Sequence, residues 1–385
     1  MATDLAWEFE LEAVTASELF ISTPINYVCG VDPVEVSELV AENRQHRQDL
    51  ASSAITAENQ QRNFSSSGVQ TDKQRNQFDF EELRKSEKQL RYYTGFSTKQ
   101  FDAVYKFLVP DGDYPINLPS NRQKEIMCIT LENQLLLVIM KLRHDFDYVD
   151  LGYRFGASKQ TVSILLTHWI NYMFLRCGEV SIWPPRDTIF QHMPQNYQQD
   201  FPTTFAIFDC TEMKICKPSS LSAQSQTFSD YKSTNTLKSL VACDPRGSII
   251  YASMLFAGSM SDKEIFKQSG CQDMLKELVK EGYLKEGDGV MADKGFNIHS
   301  EVEECGLKLN IPPFARSGVQ MTKHDALHTK KIAAHRVHVE RAIARIKRFQ
   351  IVARRLPLSL YTSINQIWYV CAFLSNFFNP CIQDK

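Results

Sequence analysis

The stretch Thr203-Thr204-Phe205-Ala206-Ile207-Phe208-Asp209-Cys210-Thr211-Glu212 is where the chain changes its period. Residues 205–208 form a short apolar run that leads straight into a carboxylate, which reads as a buried strand with Asp209 at its C-terminal end. A second strand is predicted over 237–243. Asp244-Pro245-Arg246-Gly247 supplies a turn, and 248–256 a third strand. Ser261 caps a helical stretch running to Lys280 with a break at Gly270. Residues 289–292 then deliver Asp293 as the earlier run delivered Asp209, and 307–311 form a further strand closed by Pro312-Pro313. Two helices follow, over about 323–349 and 358–378. Strands first, then helices with strands between, predict an α/β or α+β fold with helices packed on a sheet.

Upstream the pattern is helical. Residues 81–93 have helical character, and Ser97 reads as the N-cap of a helix over 98–108. Stretches 131–143, 148–155 and 159–176 follow in quick succession, with Gly156-Ala157-Ser158 as the tight turn before the last. There Val162, Leu165, Leu166, Trp169 and Met173 share one face. This block (about 131–176) looks like a helix-turn-helix, with a small packing or dimerisation bundle as the alternative. Pro184-Pro185 and the polar run 191–199 read as a linker. Residues 1–75 are polar, acidic and expected to be disordered, apart from a short helix that 27–39 could form. The expected organisation is therefore a disordered acidic region (1–75), a helical region (76–185) and a sheet domain (200–385).

The formal net charge of −2 hides a split. Residues 1–60 hold eleven acids against two bases, so the remainder is basic and suited to a polyanion. The ten cysteines are scattered singly, without zinc spacing, and read as reduced thiols. Asp4, Glu8, Glu10 and Glu12 stand where a secretory leader would be basic, and no apolar run is long enough to span a bilayer. An intracellular location without membrane contact is the expectation.

Three acids stand out by context. Asp209 and Asp293 follow buried apolar residues at strand ends, where α/β folds place their sites. Carboxylates there are partly desolvated and call for a cation, usually a divalent metal. Glu340 lies in a helix whose faces separate into an apolar line (Val339, Ile343, Ile346, Gln350), a basic line (Arg341, Arg345, Arg348) and a third line of Arg336, Glu340, Ala344 and Lys347. Taken singly, Glu340 could pair with its basic neighbours, and the two aspartates could be caps or turn residues.

The segments around these acids resemble the Harbinger-like DDE superfamily of transposase endonucleases. The matching stretches run in order. They are Phe208-Asp209-Cys210-Thr211-Glu212, then Tyr231-Lys232 with Thr236-Leu237-Lys238, then Gly258-Ser259-Met260-Ser261-Asp262-Lys263. Met291-Ala292-Asp293-Lys294-Gly295-Phe296, Leu309-Asn310-Ile311-Pro312-Pro313, and His338-Val339-Glu340-Arg341-Ala342-Ile343 with Arg345-Ile346-Lys347 complete the series. The resemblance implies a ribonuclease-H-like catalytic domain, a mixed sheet with flanking helices, preceded by the helix-turn-helix. It implies Asp209, Asp293 and Glu340 as catalytic residues and ligands of two Mg²⁺ or Mn²⁺ ions ~3.5–4 Å apart. Asp209 would bridge both ions. The implied reaction is in-line attack of water or a DNA 3′-hydroxyl on phosphorus. Glu212 and Asp262 are secondary, as a fold or outer residue and a helix-N-terminal acid.

Double-stranded DNA is the implied partner, and the nucleus the implied location. Lys159, Gln160 and Ser163 would meet base edges from the recognition helix, whereas Arg341, Arg345 and Arg348 would bind phosphates, with Arg354 and Arg355 extending them. Relatives often carry a zinc-binding recognition module upstream, and residues 1–120 lack its Cys/His spacing. Target recognition then rests on the helix-turn-helix, on a DNA-binding partner protein or on a missing exon. A homo-oligomer stays open, as does a second function, a host-adopted factor that binds DNA or protein without cutting.

Overall fold

A computed structural model describes residues 78–110, 126–313 and 322–378. The readings of 1–75, including the short helix at 27–39, lie outside these residues. The helical region opens with α1 (Phe80–Leu83), α2 (Glu87–Thr94) and α3 (Thr98–Leu108). The single helix expected over 81–93 is thus two, because Ser86 starts a new N-cap. Ser97 and Gln100 form the reciprocal capping box that starts α3. Next come α4 (Leu131–His144), α5 (Tyr148–Phe155) and α6 (Lys159–Gly178), which starts on Ser158 as its sequence predicts. The α5–α6 turn needs Gly152, since a Cβ there would sit 2.5 Å from the Ala157 carbonyl oxygen.

The expected linker is partly helical. α7 (Arg186–Gln191) and α8 (Gln195–Asp200) follow Pro185 and Pro194, whose fixed φ suits the helix threshold. The polar surface of 191–199 conceals one anchor. Tyr197 is fully buried and donates its hydroxyl to the His335 carbonyl at 2.7 Å.

The sheet begins with β1 (Thr204–Lys214). After α9 (Leu221–Thr227) come β2 (Phe228–Ser229), β3 (Thr234–Cys243), β4 (Ile249–Ala252) and β5 (Phe256–Ala257). The single strand expected over 248–256 is therefore interrupted. At Ser253 the backbone amide still donates to the Leu240 carbonyl, but it is the hydroxyl that accepts the Leu240 amide, at 2.9 Å. The helices α10 (Asp262–Gln268) and α11 (Cys271–Lys280) break at Gly270, as expected. They lead to β6 (Gly289–Met291), α12 (His299–Glu303) and β7 (Lys308–Asn310). Three helices close the described chain: α13 (Lys323–Ile346), α14 (Gln350–Ala353) and, after a 3₁₀ turn, α15 (Ile364–Ser375).

The strand order is β2-β3-β1-β6-β7, with β4 and β5 on β3's free edge side. β1 is antiparallel to β3 and parallel to β6, and β6 is parallel to β7. This is the mixed sheet flanked by helices expected of a ribonuclease-H-like domain. Its faces are packed differently. Ile207, Met213, Val241 and Met291 join the core made with α13, α15 and the helical region. Ala206, Phe208, Leu240 and Val290 pack with α10, α11 and α12. The first core runs without interruption from Phe80 to Phe378, so the helical region and the sheet share buried surface. At its centre Trp368 donates its indole N–H to Ser239 Oγ at 3.0 Å and the Ser253 carbonyl at 3.2 Å.

Candidate active site

Register places the two aspartates. The last parallel pair between β1 and β6 is Ile207 with Met291, both facing the α13 core. Asp209 and Asp293 each lie two residues further along. A step of two restores the side-chain direction along an extended chain, so both point to the α13 side of neighbouring chain segments. Asp209 is not at the end of its strand, as its sequence suggested. β1 continues to Lys214 against β3, and it is β6 that stops. The two carboxylates stand where the sheet loses its neighbour.

Helix α13 crosses this face. Val339, Ala342, Ile343 and Ile346 are buried against the core, which turns Arg336 and Glu340 toward the aspartates one turn apart. The three acids meet on a single guanidinium. Arg336 lies 3.1 Å from Asp293 Oδ1, 3.5 Å from Glu340 Oε1 and 3.9 Å from Asp209 Oδ2. The sequence placed Arg336 on the line of Glu340 but gave it no role. Its four-residue offset was the available signal.

Burial differs among the three. The Asp209 side chain is 22% exposed, against 49% for Asp293 and 56% for Glu340. Burial pushes the Asp209 carboxyl up to about 6, against the opposing pull of Arg336 and of the Cys210 amide, which donates to its Oδ1 at 2.9 Å. Asp293 and Asp262 raise it further by repulsion. Asp293 Oδ1 also accepts the Lys294 amide at 2.7 Å.

A set of carboxylates already gathered on one cation suits a hard divalent ion chemically. The oxygens are spread around the guanidinium, however. Among the described residues no three His, Cys, Asp or Glu side chains form a ready metal cage.

Behind β1 lies a second polar cluster. Glu212 faces Lys238 across the β1–β3 ladder and accepts from Thr236 Oγ1 at 2.9 Å. Lys238 in turn holds Asp262 at 3.2 Å and the Met260 carbonyl at 3.0 Å. Gly258 is required here, since a Cβ would fall 2.6 Å from the Thr227 carbonyl oxygen. These motif residues brace the loop behind Asp209.

The basic line on α13 does not survive as read. Arg341 and Arg348 are exposed, but Arg345 is buried at 6% exposure and donates to the Gly247 carbonyl at 2.7 Å and to Asn376 Oδ1 at 3.3 Å. Offsets of four and seven share a face only approximately, and the packing of α13 turns Arg345 inward onto Gly247 and Asn376 as a structural anchor. Arg355 is also engaged, donating to the Ile215 carbonyl at 2.8 Å. On α6, Lys159 and Gln160 are exposed and Ser163 is half-buried, whereas Val162, Leu166 and Trp169 are buried.

Residues 208–376 match the family described as DDE superfamily endonuclease, and residues 128–179 match the helix-turn-helix of DDE superfamily endonuclease. The chain is 23% identical over 203 residues to the Xenopus laevis protein named "Putative nuclease HARBI1", a match covering 50% of this chain and 55% of that one. It thus spans about half the length of that relative. No solved structure matches.

Proposed function

The chain belongs to the DDE superfamily endonucleases, with that superfamily's helix-turn-helix ahead of the catalytic segment, and from this premise we propose that it cleaves phosphodiester bonds of double-stranded DNA. One observation carries the reading. Carboxylates from within β1, from just beyond the end of β6 and from one helix, 84 and 47 residues apart in sequence, gather on one guanidinium where β6 stops beside β1. Asp209, Asp293 and Glu340 are the catalytic groups and the ligands of two Mg²⁺ or Mn²⁺ ions, which when bound supply Lewis acidity and a more acidic water. The half-buried Asp209 gives the site its fixed point, anchored in the β1–β3 ladder opposite Val241. The more exposed Asp293 and Glu340 face solvent, from which DNA approaches.

Residues 131–176 serve target binding and 200–385 the chemistry. Lys159, Gln160 and Ser163 begin the recognition helix and read bases, while Arg341 and Arg348 hold phosphates. The protein works in the nucleus. The test is nicking of DNA carrying the cognate element ends by the full chain in Mg²⁺ or Mn²⁺. Cleavage by wild type and none by Asp209→Asn is expected. Equal behaviour of the two would leave a DNA-binding factor without cleavage.

A further inference from the structure

Arg336 is the group that the site's geometry singles out and the cleavage reading leaves unused. Its side chain is only 15% exposed and touches all three acids. Its Nε is buried and lacks a hydrogen-bond partner among the described residues. A guanidinium placed in this way balances the charge of three carboxylates that would otherwise repel one another across a partly desolvated gap. It also competes with any other cation for them. The oxygens that Arg336 contacts are those a metal ion would bond, so an ion taking them would stand cation against cation with the guanidinium.

We propose that Arg336 is a positioning residue that acts as the site's resident counter-ion. It holds Asp209, Asp293 and Glu340 together without metal and gives up these ion pairs when a divalent cation takes the carboxylates. This rests on the reading of the three acids as metal ligands. The arginine is suited to the exchange. Its pairs with Asp293 and Glu340 are half open to solvent and individually weak, so a multivalent ion can displace them. Its stem is long enough to carry the guanidinium away without moving α13.

The test is Mn²⁺ binding to the full-length protein, followed by titration calorimetry and by the electron paramagnetic resonance signal of free Mn²⁺. Wild type, Arg336→Met, Arg336→Lys and Asp209→Asn are compared, with circular dichroism confirming the fold of each. Removing the competitor should tighten Mn²⁺ binding on the order of ten-fold in Arg336→Met. Arg336→Lys should fall between, because one ammonium cannot hold three carboxylates at once. Thermal unfolding gives a second reading that needs no activity. Arg336→Met should melt below wild type without metal and gain more from added Mn²⁺. Should Arg336→Met fail to fold, the Arg336→Lys comparison decides alone. Equal or weaker Mn²⁺ binding by the Arg336 variants, with wild-type binding abolished by Asp209→Asn, would overturn the exchange while leaving the metal-site reading intact. Mn²⁺ binding that Asp209→Asn leaves unchanged would overturn both.

Discussion

Lys347 donates its ammonium to the backbone carbonyl of Glu212, 3.1 Å away. This bond ties the end of the helix that carries Glu340 to the strand that carries Asp209. Burial draws the lysine's pKa down, so its charge is held there against a desolvation cost. Tyr197, from α8, gives α13 a second tie, at the carbonyl of His335, the residue before Arg336. The helix and strand that carry Glu340 and Asp209 are thus tied by contacts that the acids themselves do not make.

Lys347→Met should therefore loosen the alignment without removing a carboxylate. A displacement of a fraction of an ångström to one ångström at a reacting centre costs about ten- to a hundred-fold in rate. DNA nicking should fall by that factor while the circular dichroism spectrum stays native, and Lys347→Arg should recover part of the loss. Nicking at the wild-type rate by Lys347→Met would remove Lys347 from the positioning machinery.

Arg341 and Arg345 should separate cleanly. Arg345→Met breaks buried charge-assisted hydrogen bonds to Gly247 and Asn376 and should lower unfolding stability by about 2 kcal/mol in urea titration. It should leave the salt dependence of DNA binding unchanged. Arg341→Ala, on an exposed face, should shift stability by no more than about 0.5 kcal/mol and reduce the slope of log affinity against log salt by about one. The reverse pattern would restore the basic line to the DNA surface.

The contrast shows what could be read from the sequence. Short apolar runs ending in acids located β1 and β6, and side-chain caps such as Ser97, Ser158 and Ser261 fixed helix starts, because these signals are local. The ordered motifs supplied the fold that joins them. What local reading lacked was the helix's rotation about its own axis. Spacings of three and four both mean "same face" approximately, and only packing against the sheet turned Arg345 inward and Arg336 toward the acids. Tyr197 was hidden for a related reason. A single buried aromatic in a run of glutamines and asparagines has no periodicity to betray it.

Asp209 predicts a pH limit on metal binding. Its carboxyl is protonated below about 6 in the fold, so an incoming cation must expel that proton. Mn²⁺ affinity should hold steady above this value and fall by about ten-fold per pH unit below it. The stability effect has the opposite sense. A folded pKa raised above the ordinary 3.8 means that ionisation opposes folding as pH rises through the window from 3.8 to about 6. Asp209→Asn, neutral throughout, should unfold at pH 7 at least as high in temperature as wild type while losing cleavage. A flat Mn²⁺ affinity between pH 5 and 7 would contradict the burial of this group.

His338 predicts acid sensitivity of the helix itself. It is buried two residues before Glu340, its Nδ1 lacks a hydrogen-bond partner among the described residues, and the Tyr197 ring lies 5.5 Å away. Burial, then the positive charge of Arg341, then His335 lower its pKa to about 4. In the unfolded chain the imidazole titrates near its ordinary 6.5. Between these values the unfolded chain takes up a proton that the folded one refuses. The stability from neutral His338 is therefore fully present above about 6.5 and is lost as pH falls toward 4. At ~1.4 kcal/mol per unit the loss is on the order of 3 kcal/mol. Urea unfolding of wild type should weaken by that order between pH 7 and pH 4.5. His338→Leu, which has no proton to take, should show a correspondingly shallower dependence, measured against its own stability at pH 7. Parallel pH profiles for the two proteins would show that His338 is not the group that destabilises α13 in acid.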